Sequence, residues 1–163
     1  MSQIACVIPT IREESYRRFL ERWQPLFDLH DVTVIKVQDG AMPKVLNERT
    51  ERYAFLKDIM GKYQSAIVNF NGGVRNLGFA YVAKYMPEVE YIITLDDDTL
   101  PIGDPIADHL RILNQKVPVS WFSTASEYMR GFPYKVRDEA EVVLSHGVWE
   151  GVADWDAPTQ LVN

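Results

Sequence analysis

Three consecutive aspartates, Asp96-Asp97-Asp98, close the apolar run Tyr91-Ile92-Ile93-Thr94-Leu95. Adjacent carboxylates repel one another, and burying part of that charge is costly unless a cation neutralises it. Alternate residues of an extended chain point the same way, so Asp96 and Asp98 are expected to face one ligand. Hard divalent ions take carboxylate oxygens, which makes Mg2+ or Mn2+ the expected cation and a diphosphate its expected partner. The plain alternative for three acids alone is a solvated acidic turn that caps the next segment.

Other residues carry weaker signals of the same kind. Gly72-Gly73 precede Val74-Arg75-Asn76-Leu77-Gly78. Glycines ahead of a helix let backbone N–H groups approach an anion, and Arg75 in the first turn could fork onto a phosphate. The Gly-Lys-Ser/Thr ending of a P-loop is missing. Asp39-Gly40 follows a strand-like run; Asp39 could accept a hydrogen bond from a base N–H, or the pair could be a plain turn. His146, between Ser145 and Gly147, suits a metal ligand or a general base, although a lone histidine is more often structural. Asp154-Trp155-Asp156 sets two carboxylates about an indole, a pattern for stacking a sugar ring at Trp155 and orienting a hydroxyl or taking a proton. Arg130 stands among aromatics in Arg130-Gly131-Phe132-Pro133-Tyr134, as a functional cation or a snorkelling surface residue.

These residues need elements to position them. Ile4 to Ile8 reads as a buried strand stopped by Pro9. Tyr16, Phe19, Leu20, Trp23 and Phe27 form one apolar helical stripe from Glu13 onward, which Pro25 should kink or end early. Val32 to Val37 is a β-branched second strand. Asn47 is a candidate N-cap, and Tyr53, Leu56, Met60 and Tyr63 suggest a second helix. Ala66 to Phe70 reads as a third strand, and Val74 to Tyr85 as a helix with Val74, Leu77, Tyr81, Val82 and Tyr85 inward. Tyr91 to Leu95 is a fourth strand. Asp104-Pro105 opens a helix to about Gln115, and strands are expected over Val117 to Thr124 and from Val142.

Alternating strands and helices predict an α/β fold: a single domain over residues 1–163 with a mostly parallel central sheet flanked by helices. Ligands of such sheets bind beyond the carboxyl ends of the strands, where Pro9-Thr10, Asp39-Gly40, Asn71-Gly72-Gly73 and the three aspartates fall.

Composition narrows the classes. The 163 residues carry 17 Lys+Arg against 23 Asp+Glu, a net charge of −6, which disfavours nucleic-acid binding through bulk charge. Apolar residues at 47% and charged residues at 25% argue against disorder. The single cysteine, Cys6, excludes an internal disulfide and fits a reducing compartment. Ile4 to Ile8 falls far short of the ~20 residues that span a bilayer, and no basic stretch precedes it. A soluble, cytoplasmic protein is the expectation.

Taken together the residues resemble the reversibly glycosylated polypeptides, a family that includes the plant UDP-arabinopyranose mutases and belongs to the nucleotide-sugar enzymes of the glycosyltransferase A-type (GT-A) fold. The matching stretches are Val7 to Arg12, Phe19 to Trp23, Val37 to Gly40, Tyr91 to Asp98, Arg130 to Pro133, Ser145 to Trp149 and Asp154 to Leu161. They occur in family order from one end of the chain to the other. Arg75-Asn76-Leu77-Gly78 is similar to the wider GT-A enzymes, where an arginine lies near the nucleotide.

The resemblance implies a metal-dependent UDP-sugar mutase that cleaves or rearranges the anomeric bond. An external-acceptor glycosyltransferase and a non-catalytic UDP-sugar-binding module are the alternatives. It implies Mn2+ or Mg2+ on Asp98, Asp96 and His146. It also implies a nucleotide site at Pro9, Thr10, Arg12, Asp39, Gly40, Arg75, Asp96 and Asp97, and catalytic roles for Arg130, Asp154 and Asp156. A UDP-sugar is the implied partner, with a homo-oligomer compatible and no membrane span. Family chains continue past the Asp156-Ala157-Pro158-Thr159-Gln160-Leu161 element whereas this sequence stops at Asn163, which fits a minimal member or one lacking part of the sugar pocket or an oligomer surface. The plant proteins are glycosylated on an arginine shortly before the Arg-Gly-Tyr/Phe-Pro motif. No arginine lies between Arg111 and Arg130 here, so the resemblance carries no self-glycosylated residue into that stretch.

Overall fold

A computed structural model describes residues 3–68, 70–113, 116–118, 139–141 and 143–147. The chain divides into two compact units, residues 1–103 and 104–163. Arg130, Asp154, Trp155 and Asp156, candidates from the sequence, lie outside the described residues, as does the stretch between Arg111 and Arg130 from residue 119 onward.

The first unit is built on strand β1 (Ile4–Thr10). Helix α1 (Glu13–Leu29) leads to β2 (Val32–Gln38), which pairs parallel to β1 from Ile4↔Val32 to Thr10↔Gln38. Strands β3 (Lys44–Asn47) and β4 (Arg52–Phe55) form a hairpin, followed by the short helix α2 (Leu56–Met60). Two 3-10 turns, Gly61–Ala66 and Gly72–Val74, lead into α3 (Arg75–Tyr85), and β5 (Tyr91–Thr94) pairs parallel to β1 on its other side. The sheet order is β4-β3-β2-β1-β5. The protein is thus α/β, but the sheet is mixed rather than mostly parallel, because β3 runs antiparallel to both β2 and β4.

Two differences from the sequence reading explain this. The stretch read as opening a second helix at Asn47 is a hairpin. Thr50 N–H bonds to both the carbonyl and the side-chain oxygen of Asn47, and Glu51 takes a left-handed φ of 53°. Asn47 therefore builds a turn instead of capping a helix. Period two then sends Ala54 toward the core and leaves Tyr53 and Phe55 exposed. The third strand expected at Ala66 to Phe70 is also not formed: the Ile67 N–H closes a turn onto the Gln64 carbonyl and Val68 is exposed. Asn69 is not described.

The two faces of β1 and β2 are covered differently. Residues Ala5, Val7, Ile35, Val37 and Val45 meet Leu77, Tyr81 and Val82 of α3 in one buried cluster, while Tyr85 stays exposed. Alternation turns Cys6 and Ile8 to the opposite face. There Tyr16, Phe19, Trp23 and Phe27 of α1 are buried, with Phe19–Trp23 and Trp23–Phe27 stacked at 5.7 and 5.6 Å. Pro25 lies inside α1 without ending it. An interior proline costs about 3 kcal/mol, and burial of the flanking Trp23 and Phe27, at about 1.5–3 kcal/mol per large apolar side chain, outweighs it.

In the second unit, helix α4 (Pro105–Ile112) starts where the sequence reading put it: the Asp104 side chain accepts from the Ala107 N–H at 3.0 Å and Pro105 fills the first turn. It ends at Ile112, short of Gln115. Strand β6 (Lys116–Pro118) pairs antiparallel with β7 (Glu139–Glu141); Val117 and Pro118 are in a strand as expected, residues 119–124 and Val142 lie outside the described residues, and Val143 and Leu144 are not in a strand. Among the described residues no helix is long and apolar enough to cross a membrane.

Candidate functional site

The parallel strands β2, β1 and β5 end side by side, and their loops open a cavity of about 390 Å3. It is lined by Pro9, Thr10, Ile11 and Arg12 after β1, and by Asp39 after β2. Phe70, Asn71, Gly72, Val74 and Arg75 line it at the entry to α3, and Asp96, Asp97 and Asp98 after β5. This is the position that strand polarity gives to ligand sites of parallel α/β sheets. Of the nucleotide and metal residues singled out by sequence, Pro9, Thr10, Arg12, Asp39, Arg75, Asp96, Asp97 and Asp98 all meet here. Gly40 is adjacent, with φ 141° and its N–H on Asp39 Oδ1 at 2.7 Å. His146 is an exposed residue of the second unit.

The acidic triplet is not extended. The Thr99 N–H and hydroxyl both bond to the Asp96 carbonyl, at 3.2 and 2.8 Å, and this closes a turn. Alternation therefore fails, and Asp96 and Asp98 go to different partners. Asp96 pairs with Arg75. Asp97, only 4% exposed, accepts from the Thr10 hydroxyl and pairs with Arg12, whose Nη2 also reaches Asp98 Oδ2 at 3.1 Å. The clustered negative charge is thus met by two guanidinium groups, as desolvated carboxylates require. Hydrogen bonding to Asp97 first, then to Asp98, raises the Arg12 guanidinium above its ordinary value.

Both flanks hold this turn in place. Trp23 of α1 donates its indole N–H to the Thr99 carbonyl at 3.0 Å. Arg12 precedes α1, and its own N–H bonds to Thr10 Oγ1 at 3.0 Å. On the other flank Gly78 sets the depth of α3. A Cβ there would lie 2.5 Å from Val7 Cγ1 and 2.7 Å from Val37 Cγ2, so only glycine lets the helix that carries Arg75 sit this close to the sheet. Of the two glycines ahead of α3, Gly73 has its N–H committed to Asn71 Oδ1 at 2.6 Å.

Several polar atoms in the cavity wall have no partner among the described residues. Arg75 Nε–H is buried without an acceptor. Asp39 uses Oδ1 for the Gly40 and Phe70 N–H groups and leaves Oδ2 over. Asp96 Oδ2 and Asp98 Oδ1 are likewise unused. No cluster of three or more His, Cys, Asp or Glu that could by itself hold a metal ion occurs among the described residues. Phe70 is the lining residue that sequence reasoning missed, since it read as the end of a buried strand. The signal was an aromatic directly before Asn71-Gly72-Gly73, where the chain must turn.

No solved structure matches the chain. The chain is 34% identical over 177 residues to probable UDP-arabinopyranose mutase 4 of Arabidopsis thaliana, covering 96% of this chain and 46% of that relative. It is 32% identical over 181 residues to UDP-arabinopyranose mutase 3 of the same plant, covering 98% and 47%. To UDP-arabinopyranose mutase 1 of Oryza sativa subsp. japonica it is 29% identical over 180 residues, again 98% and 47%. The chain spans about half the length of the curated relatives it matches. The family model for reversibly glycosylated polypeptides matches residues 1–163, from the first to the last, and the chain belongs to that family.

Proposed function

We propose that this chain carries the nucleotide-diphosphate site of a UDP-sugar mutase with a GT-A-type architecture. The observation that carries the reading is the convergence of Thr10, Arg12, Asp39, Arg75 and Asp96 to Asp98 on one cavity at the carboxyl ends of β1, β2 and β5. A diphosphate needs cationic and N–H donors, and Arg12 and the buried Nε–H of Arg75 supply them. A uracil ring offers an imide N–H, and Asp39 Oδ2 is an acceptor for it.

The donor set also fits a hard divalent ion. Asp96 Oδ2 and Asp98 Oδ1 are carboxylate oxygens at a half-exposed wall, and Mg2+ or Mn2+ commonly takes one or two protein carboxylates plus phosphate oxygens and water. Such an ion would neutralise charge on the diphosphate, and Asp98 and Asp96 would hold it. Breaking the anomeric C–O bond leaves the electron pair on the β-phosphate. Arg75 and Arg12 would stabilise that charge where it develops. Asp154 or Asp156 would attend the cationic sugar, with Arg130 facing phosphate or sugar.

Incubation of the chain with UDP-arabinopyranose and Mn2+, followed by separation of the sugar ring forms, tests the reaction. The expected result is the ring-contracted UDP-sugar. Release of free UDP with the sugar carried to an acceptor would favour the transferase reading, and no product from UDP-arabinopyranose, UDP-galactose or UDP-glucose would favour a binding module. UDP affinity is expected to fall with chelator and with Asp98→Ala; indifference to both would sink the role of the cation.

A further inference from the structure

We infer that Phe70 is the stacking platform for the base of the bound nucleotide and that Asp39 holds it in place. The inference rests on the nucleotide reading above and extends it to a residue that the sequence motifs do not single out.

Three non-glycine residues among those described have a left-handed backbone: Asp31, Glu51 and Phe70. Asp31 lies in the tight connection between α1 and β2, and short polar residues tolerate that conformation. Glu51 lies in the turn of the β3–β4 hairpin. Phe70, at φ 56°, is the bulky one, for which this region is a genuine outlier. Such conformations persist only where the surroundings over-determine them, and they cluster at ligand clamps. Here the determinant is a side chain of the site. Asp39 Oδ1 accepts the Phe70 N–H at 3.0 Å and the Gly40 N–H at 2.7 Å, while the Asp39 N–H bonds to the Thr10 carbonyl at 3.0 Å.

The conformation does not serve to bury the ring. Phe70 is 65% exposed, and Ile11, a lining residue from the opposite loop, is 61% exposed. Beside its arginines and aspartates the cavity therefore presents two open apolar side chains. A phosphate or a cation gains nothing from them, whereas the flat face of a base does. One carboxylate then serves two ends. Its Oδ1 fixes the ring that stacks, and its Oδ2 remains for the base edge. A uracil, with an imide N–H, satisfies that acceptor. Cytosine presents a lone pair at the same position and is disfavoured.

Calorimetric titration of UDP and of inorganic pyrophosphate, in the presence of Mn2+, into wild type, Phe70→Asn and Phe70→Tyr tests this. Asparagine tolerates the left-handed backbone, so the variant is expected to melt no lower than wild type. Loss of one base–aromatic stack is expected to weaken UDP about 5- to 150-fold in Phe70→Asn, to leave pyrophosphate unchanged, and to be repaired in Phe70→Tyr. Equal weakening of UDP and pyrophosphate would overturn the stack in favour of a purely structural turn. If UDP binds wild type and Phe70→Asn alike, the stack is wrong and the nucleotide site stands. If UDP fails to bind wild type, the nucleotide reading falls and takes the inference with it.

Discussion

Helices α1 and α3 flank the same two central strands and hold the same cavity, but they do so by opposite means. Helix α1 fills space: Tyr16, Phe19, Trp23 and Phe27 form a column of rings over Cys6 and Ile8, and one of those rings reaches out to pin the acidic turn at Thr99. Helix α3 removes space: Gly78 rests against Val7 and Val37, and the close approach brings Arg75 to Asp96. A flank built on volume tolerates adjustment at its margins and fails when atoms are removed. A flank built on contact distance fails when a single methyl group is added.

The sharpest way to break the comparison is to make both changes. Phe19→Ala is expected to cost about 3–5 kcal/mol, the range for deleting a buried aromatic ring, measured by urea unfolding. Gly78→Ala, ordinarily a helix-favouring change, is expected to cost about 1–3 kcal/mol instead and to weaken UDP binding through displacement of Arg75. A stabilised Gly78→Ala protein would show that the approach of α3 is not limiting. Trp23→Phe keeps an aromatic ring in the column but removes the hydrogen bond to Thr99 together with part of a buried indole, so a loss of about 1–2 kcal/mol is expected, again by urea unfolding.

A further effect distinguishes the flanks by pH. Cys6 and Tyr16 are buried on the α1 side. Burial raises the Cys6 thiol far above its ordinary value, and burial followed by the hydrogen bond to Glu48 does the same to the Tyr16 phenol. Above about pH 8.5 the unfolded chain releases the thiol proton while the folded chain keeps it, so stability falls as pH rises; the phenol adds to this above about pH 10. Between those values the slope is expected to approach ~1.4 kcal/mol per pH unit in wild type and to flatten in Cys6→Ala. An unchanged slope in Cys6→Ala would remove the thiol from the account.

The same contrast explains what could be read from the residues. The α1 flank was legible because four aromatics at helical spacing admit one face, β1 because it opens as a continuous apolar run, and β2 because it is rich in β-branched residues. The acidic turn, Thr10 and Asp39 were legible as chemistry because strand polarity sends them to one end of the sheet; Arg75 was legible as a first-turn cation after two glycines, and Arg12 through the family resemblance. The β3–β4 hairpin was not. Its strands are four residues long, and Tyr53, Leu56, Met60 and Tyr63 fit a helical period as well as Val45 and Ala54 fit a period of two. The turn at Asn47 to Glu51 decided between them, through hydrogen bonds that spacing does not encode. Phe70 was missed for a related reason: an apolar residue after Ile67 and Val68 looks like strand, and only the Asp39 carboxylate, far away in sequence, turns it out to the cavity rim. The pairing of Asp96 and Asp98 with different arginines was equally hidden, because it depends on the turn closed by Thr99.

The central claim is that Arg75 and the acidic turn form a diphosphate site, and calorimetric titration of UDP into wild type and Arg75→Met in the presence of Mn2+ tests it most directly. Saturable binding in wild type, weakened about 10- to 150-fold in the variant as for the loss of a charged hydrogen bond, is the expected result. Equal affinity in the two proteins, or no heat of binding in either, would contradict it.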